Sequence, residues 1–314
     1  MDLDIEHLTE YRYAAPVSLA HHVAHLRPLD DAHQQLLDFS LAILPDPGAP
    51  RQASDGFGNA SHWFSLALPH DSLAVRSRSR VRLRPRFAAL DAAASPPWDT
   101  LVARLHYVAG APFEPALEFA QPSPFVPRLD DLQDYGAASF SPGRPLALAA
   151  IDLMHRVHVD FAYVSQSTRI ETPLQQVLAQ RSGVCQDFAH LMAGTLRMLG
   201  LPARYVSGYL LTQAAAGAPL MVGADASHAW VQVWCPDTPG VPGGWLDLDP
   251  TNDLVPGTGH VRVAVGRDFG DVTPLRGVIR GGGSHTLTVA VRTTPLPGAG
   301  PHVARVGAQE AGRE

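Results

Sequence analysis

The chain has 314 residues, a formal net charge of −6 at pH 7 and two cysteines. A hydrophobic fraction of 46% and a charged fraction of 17% are typical of a globular protein and exclude a disordered or fibrous one. The negative charge, with no long run of Lys and Arg, gives no surface for nucleic acid or an anionic membrane, so we expect neither partner. No apolar stretch reaches the roughly 18 residues of a spanning helix, and the first residues lack a secretory signal pattern. We therefore expect a cytoplasmic protein.

The two cysteines, Cys185 and Cys235, can form at most one disulfide, which favours a reducing compartment. Two cysteines alone cannot make a structural zinc site, and the spacing of the 15 histidines supplies no convincing set of ligands. His155 and His158, for example, could share one face of a helix but have no third partner. We expect no metal site. Cys235 stands beside Pro236 at a strand end and is predicted to be structural.

Residues 1–90 show the period-two alternation of β-strands, interrupted by turn sequences. One turn, DGFGN at residues 55–59, combines two glycines with Asp and Asn, which adopt positive φ angles readily. This region is predicted to form a β-sandwich-like N-terminal accessory domain. Residues 91–143 are rich in Pro and small residues, which favours a connector with one short helix near residues 99–108.

Residues 144–253 change from helical to strand periodicity. Apolar residues recur at helical spacing in three segments, and the third begins after Cys185 and ends at Gly200. The period then returns to two in three short segments. Helices followed by strands favour an α+β domain rather than βαβ units. Residues 254–295 are predicted to form a β extension of this domain, and residues 296–314, which lack periodicity, to form a mobile tail.

Cys185 stands at the start of the third predicted helix, where its chemistry is favourable for catalysis. The unpaired N–H groups and the positive dipole end of a helix stabilise a thiolate, and the same N–H groups can receive the oxyanion that forms on an attacked carbonyl. Asp187, in the first turn, is expected to cap free N–H groups. The alternative is a buried, inert thiol, which is the common state of a free cysteine.

A nucleophilic cysteine needs an imidazole as base and a group that orients this imidazole. His190 is the nearest histidine in sequence, but five residues along a helix turn its side chain through roughly 140° away from Cys185. His228, at the start of a predicted strand, is the better candidate. Asp247 and Asp249 share one face of the next strand, and either carboxylate could orient His228.

Four ordered motifs between about residues 145 and 253 give the sequence a family resemblance. GVCQDFAHL, GLPARYVSGYL, SHAWVQVW and GWLDLDPTN together resemble the core of the transglutaminase-like superfamily. The first 90 residues, with DGFGN, resemble the accessory β domain of bacterial members, and GRDFGDVTPLRGVIRGGGSHTLTVAV resembles their C-terminal continuation. The resemblance implies an α+β fold, with helices packed on an antiparallel sheet, and a papain-like thiol mechanism.

The resemblance also implies the roles of individual residues. Cys185 is the nucleophile, His228 the base, and Asp249, the Asp of the DPT motif, the orienting carboxylate. Gln186, beside the nucleophile, and Trp230, on the strand of His228, are candidate substrate contacts. No cofactor is needed by this mechanism, and no acidic loop predicts calcium binding.

The expected reaction is acyl transfer from a peptide bond or a glutamine-type side chain through a thioester. Water as the second substrate gives proteolysis or deamidation, and an amine gives cross-linking. Hydrolysis ranks slightly ahead, because bacterial relatives of this architecture are often described as cysteine proteases. The alternative from another class is a noncatalytic module that binds a peptide or protein on the same fold.

Overall fold

The computed structural model describes residues 1–211 and 227–296. The N-terminal part forms five antiparallel strands, which are adjacent in the order β2-β5-β1-β4-β3. Their bounds are β1 (Asp2–Ala24), β2 (Gln34–Leu44), β3 (Arg51–Ser54), β4 (Ala60–Leu66) and β5 (His70–Leu83).

Five helices and two short strands follow, and they lead to the four strands of a second sheet. The helices are α1 (Trp98–Arg104), α2 (Asp130–Ala137), α3 (Leu146–Asp160), α4 (Leu174–Gln180) and α5 (Cys185–Met198). The strands β6 (Ala162–Tyr163) and β7 (Ser182–Gly183) form a parallel pair just before α5. The second sheet, here the core sheet, contains β8 (Ala203–Leu210), β9 (Ser227–Trp234), β10 (Trp245–Leu248) and β11 (His260–Gly266), in the order β10-β9-β8-β11. The chain continues through α6 (Phe269–Val272), β12 (Leu275–Gly281) and β13 (His285–Pro295).

The 23-residue strand β1 organises the N-terminal sheet. Its first half pairs with β5 and β13, and its second half pairs with β4 and β12. Apolar side chains from both halves of the sheet pack into one cluster that contains Val17, Leu73 and Phe64. The sheet therefore folds over a shared core, as expected of a sandwich-like domain, and the predicted α+β fold class is confirmed.

The prediction that residues 254–295 extend the core is wrong for two of the three strands in this segment. β11 pairs with β8 and belongs to the core sheet, but β12 and β13 both pair with β1. Val291 of β13 packs with Leu3 and Ile5 of β1. Alternation shows that a segment is a strand, but it does not show which partner the strand will find.

The predicted connector, residues 91–143, is also more structured than its composition suggests. α1 lies where a short helix was predicted, but α2 was not anticipated, and Leu132 and Tyr135 of α2 are buried in the same cluster as α5. A Cβ atom added to Gly136 would lie 2.8 Å from Thr195 Cγ2, so this glycine allows α2 to approach α5 closely. The two helices of the connector, α1 and α2, are therefore part of the helical layer of the core.

The amphipathic helix α5 packs against one face of the core sheet. Its apolar stripe at positions i, i+3 and i+4, as the sequence predicts, is buried against alternate residues of β9 and β10. The buried residues from the two sides include Phe188, Leu191, Met192 and Leu196 on the helix and Val231, Val233, Leu246 and Leu248 on the sheet.

The face of the core sheet that is turned away from α5, together with its edge strand β11, lies against the N-terminal sheet. Leu3, Val81 and Leu83 from the N-terminal sheet cluster with Tyr209 and Val261 from the core sheet. The two sheets therefore share a buried apolar boundary.

Within the described residues, no helix is both long and apolar enough to cross a membrane. The segment predicted to be a mobile tail, residues 296–314, lies outside the described residues except for Leu296, whose N–H donates to the carbonyl of Asp2.

Candidate active site

Cys185 is the first residue of α5, and the start of this helix is held by Asp187. The Asp187 carboxylate accepts hydrogen bonds from the Val184 N–H at 2.8 Å and from the Thr168 hydroxyl at 2.6 Å. Asp187 is thus the helix cap that the sequence predicts. Cys185 is half-buried at the start of α5, where the unpaired N–H groups of the first turn give the helix end a positive partial charge.

His228 lies at the start of β9 and faces the thiol. Its imidazole is close enough to the Cys185 side chain for the thiol to contribute to its raised pKa, and only 7% of the residue is exposed. The ring nitrogen Nε2 lies 2.8 Å from Asp249 Oδ2. The structure therefore brings Cys185, His228 and Asp249 together in the order that the sequence motifs imply.

Asp249 is fully buried at the end of β10 and accepts hydrogen bonds on both oxygens. Oδ1 accepts from the backbone N–H groups of Thr251 and Asn252 at 3.0 and 3.2 Å. Oδ2 accepts from the Asn252 amide at 2.7 Å, in addition to His228. The backbone N–H groups of the DPTN turn thus hold the Asp249 carboxylate in a fixed orientation.

Asp247 lies on the same face of the sheet but has different partners. Its carboxylate accepts hydrogen bonds from the Gln232 amide and, at 3.4 Å, from Trp230 Nε1. Of the two carboxylates that the alternation of β10 leaves open, Asp249 is the one that contacts His228.

Electrostatics favour a charged pair between His228 and Asp249. Burial disfavours the protonated ring, but the Asp249 carboxylate, with a smaller contribution from Cys185, raises the pKa of His228 to about 10. Burial also disfavours an ionised Asp249, yet its hydrogen bonds and ion pairs with the imidazoles hold its pKa well below the usual range. Since an ionised carboxylate only accepts hydrogen bonds, His228 Nε2 must carry a proton. Nδ1 is then the nitrogen left for Cys185.

His260 is a site residue that sequence reasoning missed. Its Nε2 lies 2.9 Å from the same Asp249 Oδ2 that His228 contacts, and it is 7% exposed. It stands on β11, outside the four motifs, and nothing in its local sequence singles it out. Sequence reasoning also gave no role to two histidines of α3. His158 contacts the Thr251 carbonyl of the DPTN turn at 3.0 Å, and His155 contacts Asp253, the residue after this turn, at 2.7 Å.

Trp230 was predicted to contact substrate, and its burial argues against this role. The side chain is 0% exposed and stacks on the His228 ring at a centroid distance of 6.0 Å. The indole fits there because residue 208 is a glycine, since a Cβ atom at this position would lie 2.5 Å from the indole. Trp230 therefore supports His228 from behind. Gln186, the second predicted contact, is half-buried in the first turn of α5, beside Cys185.

His190, which the sequence predicts to point away from Cys185, and Cys235, which it predicts to be structural, both lie in the interior. His190 Nε2 accepts a hydrogen bond from the Phe269 N–H at 3.1 Å, and burial lowers the pKa of His190 to about 3. Cys235 is fully buried beside the Thr238 hydroxyl at 3.1 Å, and burial raises the pKa of its thiol to about 11. Neither residue is available to a substrate.

One group of side chains among the described residues has the composition of a metal site. The ligand-type atoms of His228, Asp249 and His260 lie within 4.8 Å of one another. The same three side chains are also held together by hydrogen bonds, because the imidazoles of His228 and His260 both bond to Asp249 Oδ2.

Comparison with known proteins shows the family. The model of the bacterial transglutaminase-like N-terminal region matches residues 3–82, and the model of the transglutaminase-like superfamily matches residues 140–250. A Mycobacterium tuberculosis protein is 40% identical over 301 residues, which cover 95% of this chain and 94% of that protein. The chain belongs to the transglutaminase-like superfamily. The resemblance of the sequence motifs to this superfamily is thereby confirmed.

Other similar proteins cover different parts of the chain. A Mycobacterium leprae protein is 32% identical over 298 residues, which cover 93% of this chain and 98% of that protein. A stretch of 116 residues is 37% identical to the protein-glutamine gamma-glutamyltransferase of Pseudomonas aeruginosa and covers 36% of this chain and 17% of that protein. The fold is shared with a crystal structure of a candidate cysteine protease from Cytophaga hutchinsonii, with a TM-score of 0.71 at 21% identity, over 96% of this chain and 92% of the other.

Proposed function

We propose that this member of the transglutaminase-like superfamily is a cysteine-dependent enzyme that cleaves or transfers acyl groups at peptide or glutamine-type amide bonds. The observation that carries the proposal is the buried, hydrogen-bonded pair of His228 and Asp249 beside Cys185 at the start of α5. A charged imidazole beside a thiol favours loss of the thiol proton, and the start of α5 favours the resulting anion.

The first half of the reaction forms a thioester. The Cys185 sulfur attacks the amide carbonyl, and the developing oxyanion lies near the N–H groups at the start of α5. As the C–N bond breaks, His228 gives the Nδ1 proton to the departing amine. Asp249 keeps the imidazole oriented during both steps, while its buried position prevents rotation towards solvent.

The second half releases the acyl group to water or to an amine. We place hydrolysis slightly ahead, so the proposed activity is peptidase-like. Similarity to the Pseudomonas aeruginosa glutamyltransferase over 116 residues favours transfer to an amine as the second candidate. In both cases the substrate is a peptide or protein, and Cys, His and Asp supply the nucleophile, proton transfer and orientation without a cofactor.

The test is to trap the acyl-enzyme. The full chain is incubated with a labelled library of glutamine-containing peptides, with and without a primary amine, and the intact mass of the protein and the product masses are measured. We expect a thioester adduct on Cys185 that is absent in Cys185→Ala and retained in Cys235→Ala. Hydrolysed products in the presence of amine support the peptidase, and amine adducts support the transferase.

The noncatalytic alternative makes the opposite prediction. If the protein is a binding module, the wild type and Cys185→Ala should bind peptides with equal affinity, and neither should form a covalent adduct. That outcome would contradict the proposed function.

A further inference from the structure

The polar face of the core sheet is covered by the N-terminal domain rather than by solvent. His228, Gln232 and Asp247 point to this face, opposite the apolar residues that pack on α5. The side chains that meet it include Gln34 and Arg86, which line a small shared cavity with Asp247 and His260. The proposed base, His228, therefore lies on the face that is turned towards the N-terminal sheet, while Cys185 approaches from the start of α5.

β11 carries His260 along this boundary and contains a bulge. Its pairing with β8 shifts register between Arg262 and Ala264, so Val263 is the extra residue. After the bulge, Ala264 packs with the helical layer while Val265 packs against Trp230. Since a bulge changes the direction of the following side chains, the geometry of β11 must be fixed accurately for His260 to meet Asp249.

Two amide side chains of the N-terminal domain fix β11 by imitating a neighbouring strand. Gln34 accepts from the Arg262 N–H at 2.8 Å and donates to the Arg262 carbonyl at 2.7 Å. Asn59 makes the same pair of bonds with Val265. It accepts from the Val265 N–H at 2.8 Å and donates to the Val265 carbonyl at 2.7 Å. β11 is the edge strand of the core sheet, and these bonds satisfy backbone groups on both sides of the bulge.

The turn that carries Asn59 is built to present it. Asp55 accepts from the N–H groups of Phe57 and Asn59, both at 2.9 Å, and from the Asn59 amide at 2.8 Å. Phe57 packs against the cluster of Val265 and Trp230, and Trp230 stacks on His228. The DGFGN turn has no role in the proposed reaction, but it is connected to the proposed base by two successive contacts, from Phe57 to Trp230 and from Trp230 to His228.

We propose that the N-terminal domain is a positioning element for catalysis, in which Gln34 and Asn59 hold β11, β11 places His260, and His260 fixes the Asp249 carboxylate that orients His228. The proposal rests on the proposed function, since it assigns a role within that reaction. It makes His260 a positioning residue, because it contacts Asp249 and not the substrate.

The first experiment compares Gln34→Leu with Gln35→Leu in the full chain. The two glutamines are neighbours on β2, but Gln35 is exposed, so its replacement is the matched control. The measured quantity is the alkylation rate of Cys185 by iodoacetamide, followed by peptide mass spectrometry. At pH 6 we expect Gln34→Leu to lower this rate about tenfold, and Gln35→Leu to change it less than about twofold.

The same variants are measured at pH 9.5. An ordinary thiol is ionised there, so we expect all rates to agree within about twofold. A variant that only damages the fold would change the rate at both pH values. Asn59→Leu supplies the same comparison if Gln34→Leu does not fold. Folded Gln34→Leu and Asn59→Leu proteins that alkylate at the wild-type rate at pH 6 would overturn the proposal.

The second experiment separates positioning by His260 from packing. A glutamine amide can still donate to Asp249, whereas leucine cannot. We expect His260→Leu to lower the pH 6 alkylation rate about tenfold, and His260→Gln to restore most of it. Equal rates for the two variants would contradict the positioning role.

The two proposals fail differently. A wild-type Cys185 that alkylates no faster at pH 6 than the thiol of glutathione would overturn both the proposed function and the positioning role. A fast wild-type thiol that is insensitive to changes at Gln34, Asn59 and His260 would overturn the positioning role alone.

Discussion

The two faces of the core sheet carry different kinds of residue although they belong to the same four strands. The face towards α5 is apolar, with Val231 and Leu246 fully buried. The face towards the N-terminal domain holds His228, Asp247 and Asp249, which are also buried, but His228 hydrogen-bonds to Asp249 and Asp247 to Trp230. Burial alone therefore does not distinguish them: one face stabilises the fold by apolar contact, and the other holds charged groups in fixed directions.

The largest expected effect separates the two carboxylates of the polar face. Asp249→Asn removes the negative charge that stabilises the protonated His228, and we expect the rate of acyl-enzyme formation to fall by about 10³ to 10⁴. Asp247→Asn is the matched control, since its carboxylate contacts Gln232 and Trp230, and should cost less than about tenfold. Single-turnover measurement of the thioester checks both. Equal losses would show that either carboxylate can orient His228.

A change on the apolar face should affect stability and spare the chemistry. Leu246→Ala leaves a cavity beneath α5, and we expect the free energy of unfolding to fall by about 2 to 5 kcal/mol. The alkylation rate of Cys185 in the folded variant should stay at the wild-type value. Urea denaturation and alkylation at pH 6 measure the two quantities. A large fall in alkylation would mean that the faces do not act separately.

The charged pair on the polar face makes stability depend on pH. The pKa of His228 is raised in the folded protein, so the folded state keeps a proton that the unfolded state loses between about pH 6.5 and 10. His228 therefore contributes its full amount to the free energy of unfolding below about pH 6.5. As the pH rises from about 6.5 to 10 this contribution falls, by up to about 1.4 kcal/mol per pH unit. Urea denaturation at pH 6.5, 8 and 9.5 should show this slope. In Asp249→Asn the slope should flatten, and an unchanged slope would assign it to other groups.

The smallest effect is expected for charges on the exposed surface of the N-terminal sheet. Arg80 binds Asp4 through two hydrogen bonds at 2.7 and 3.0 Å, but both side chains are about half exposed. Asp4→Asn should therefore lower the free energy of unfolding by less than about 1 kcal/mol, and less still in high salt. Denaturation at two salt concentrations checks this. A larger loss would show that exposed charge matters as much as the buried polar face.

Sequence reasoning located the proposed nucleophile and base because each stands in a local pattern. Cys185 begins an amphipathic helix with a cap at Asp187, and His228 begins a strand that is followed by a carboxylate-bearing one. The choice of Asp249 over Asp247 came from family resemblance, because alternation puts both on one face. The class of fold followed from the order of periodicities in the same way.

The parts that sequence reasoning missed depend on contacts between distant segments. DGFGN is recognisable as a turn, but nothing near Asn59 indicates that its amide will meet Val265, which is 206 positions away. His260 has no local motif, and its role exists only because β11 lies beside the DPTN turn. The strand β13 alternates as a predicted strand should, yet its partner is β1, and β12, which also pairs with β1, shows no alternation.

The return of β13 to β1 has a consequence for the order in which the protein can be made. Leu3 is paired with Pro295, so one edge of the first strand stays open until nearly the whole chain has left the ribosome. Contacts of such long sequence separation form slowly, and an open strand edge attracts other chains in the meantime. A chain cut off after the last core strand would keep every residue of the proposed triad and still leave its first strand incomplete.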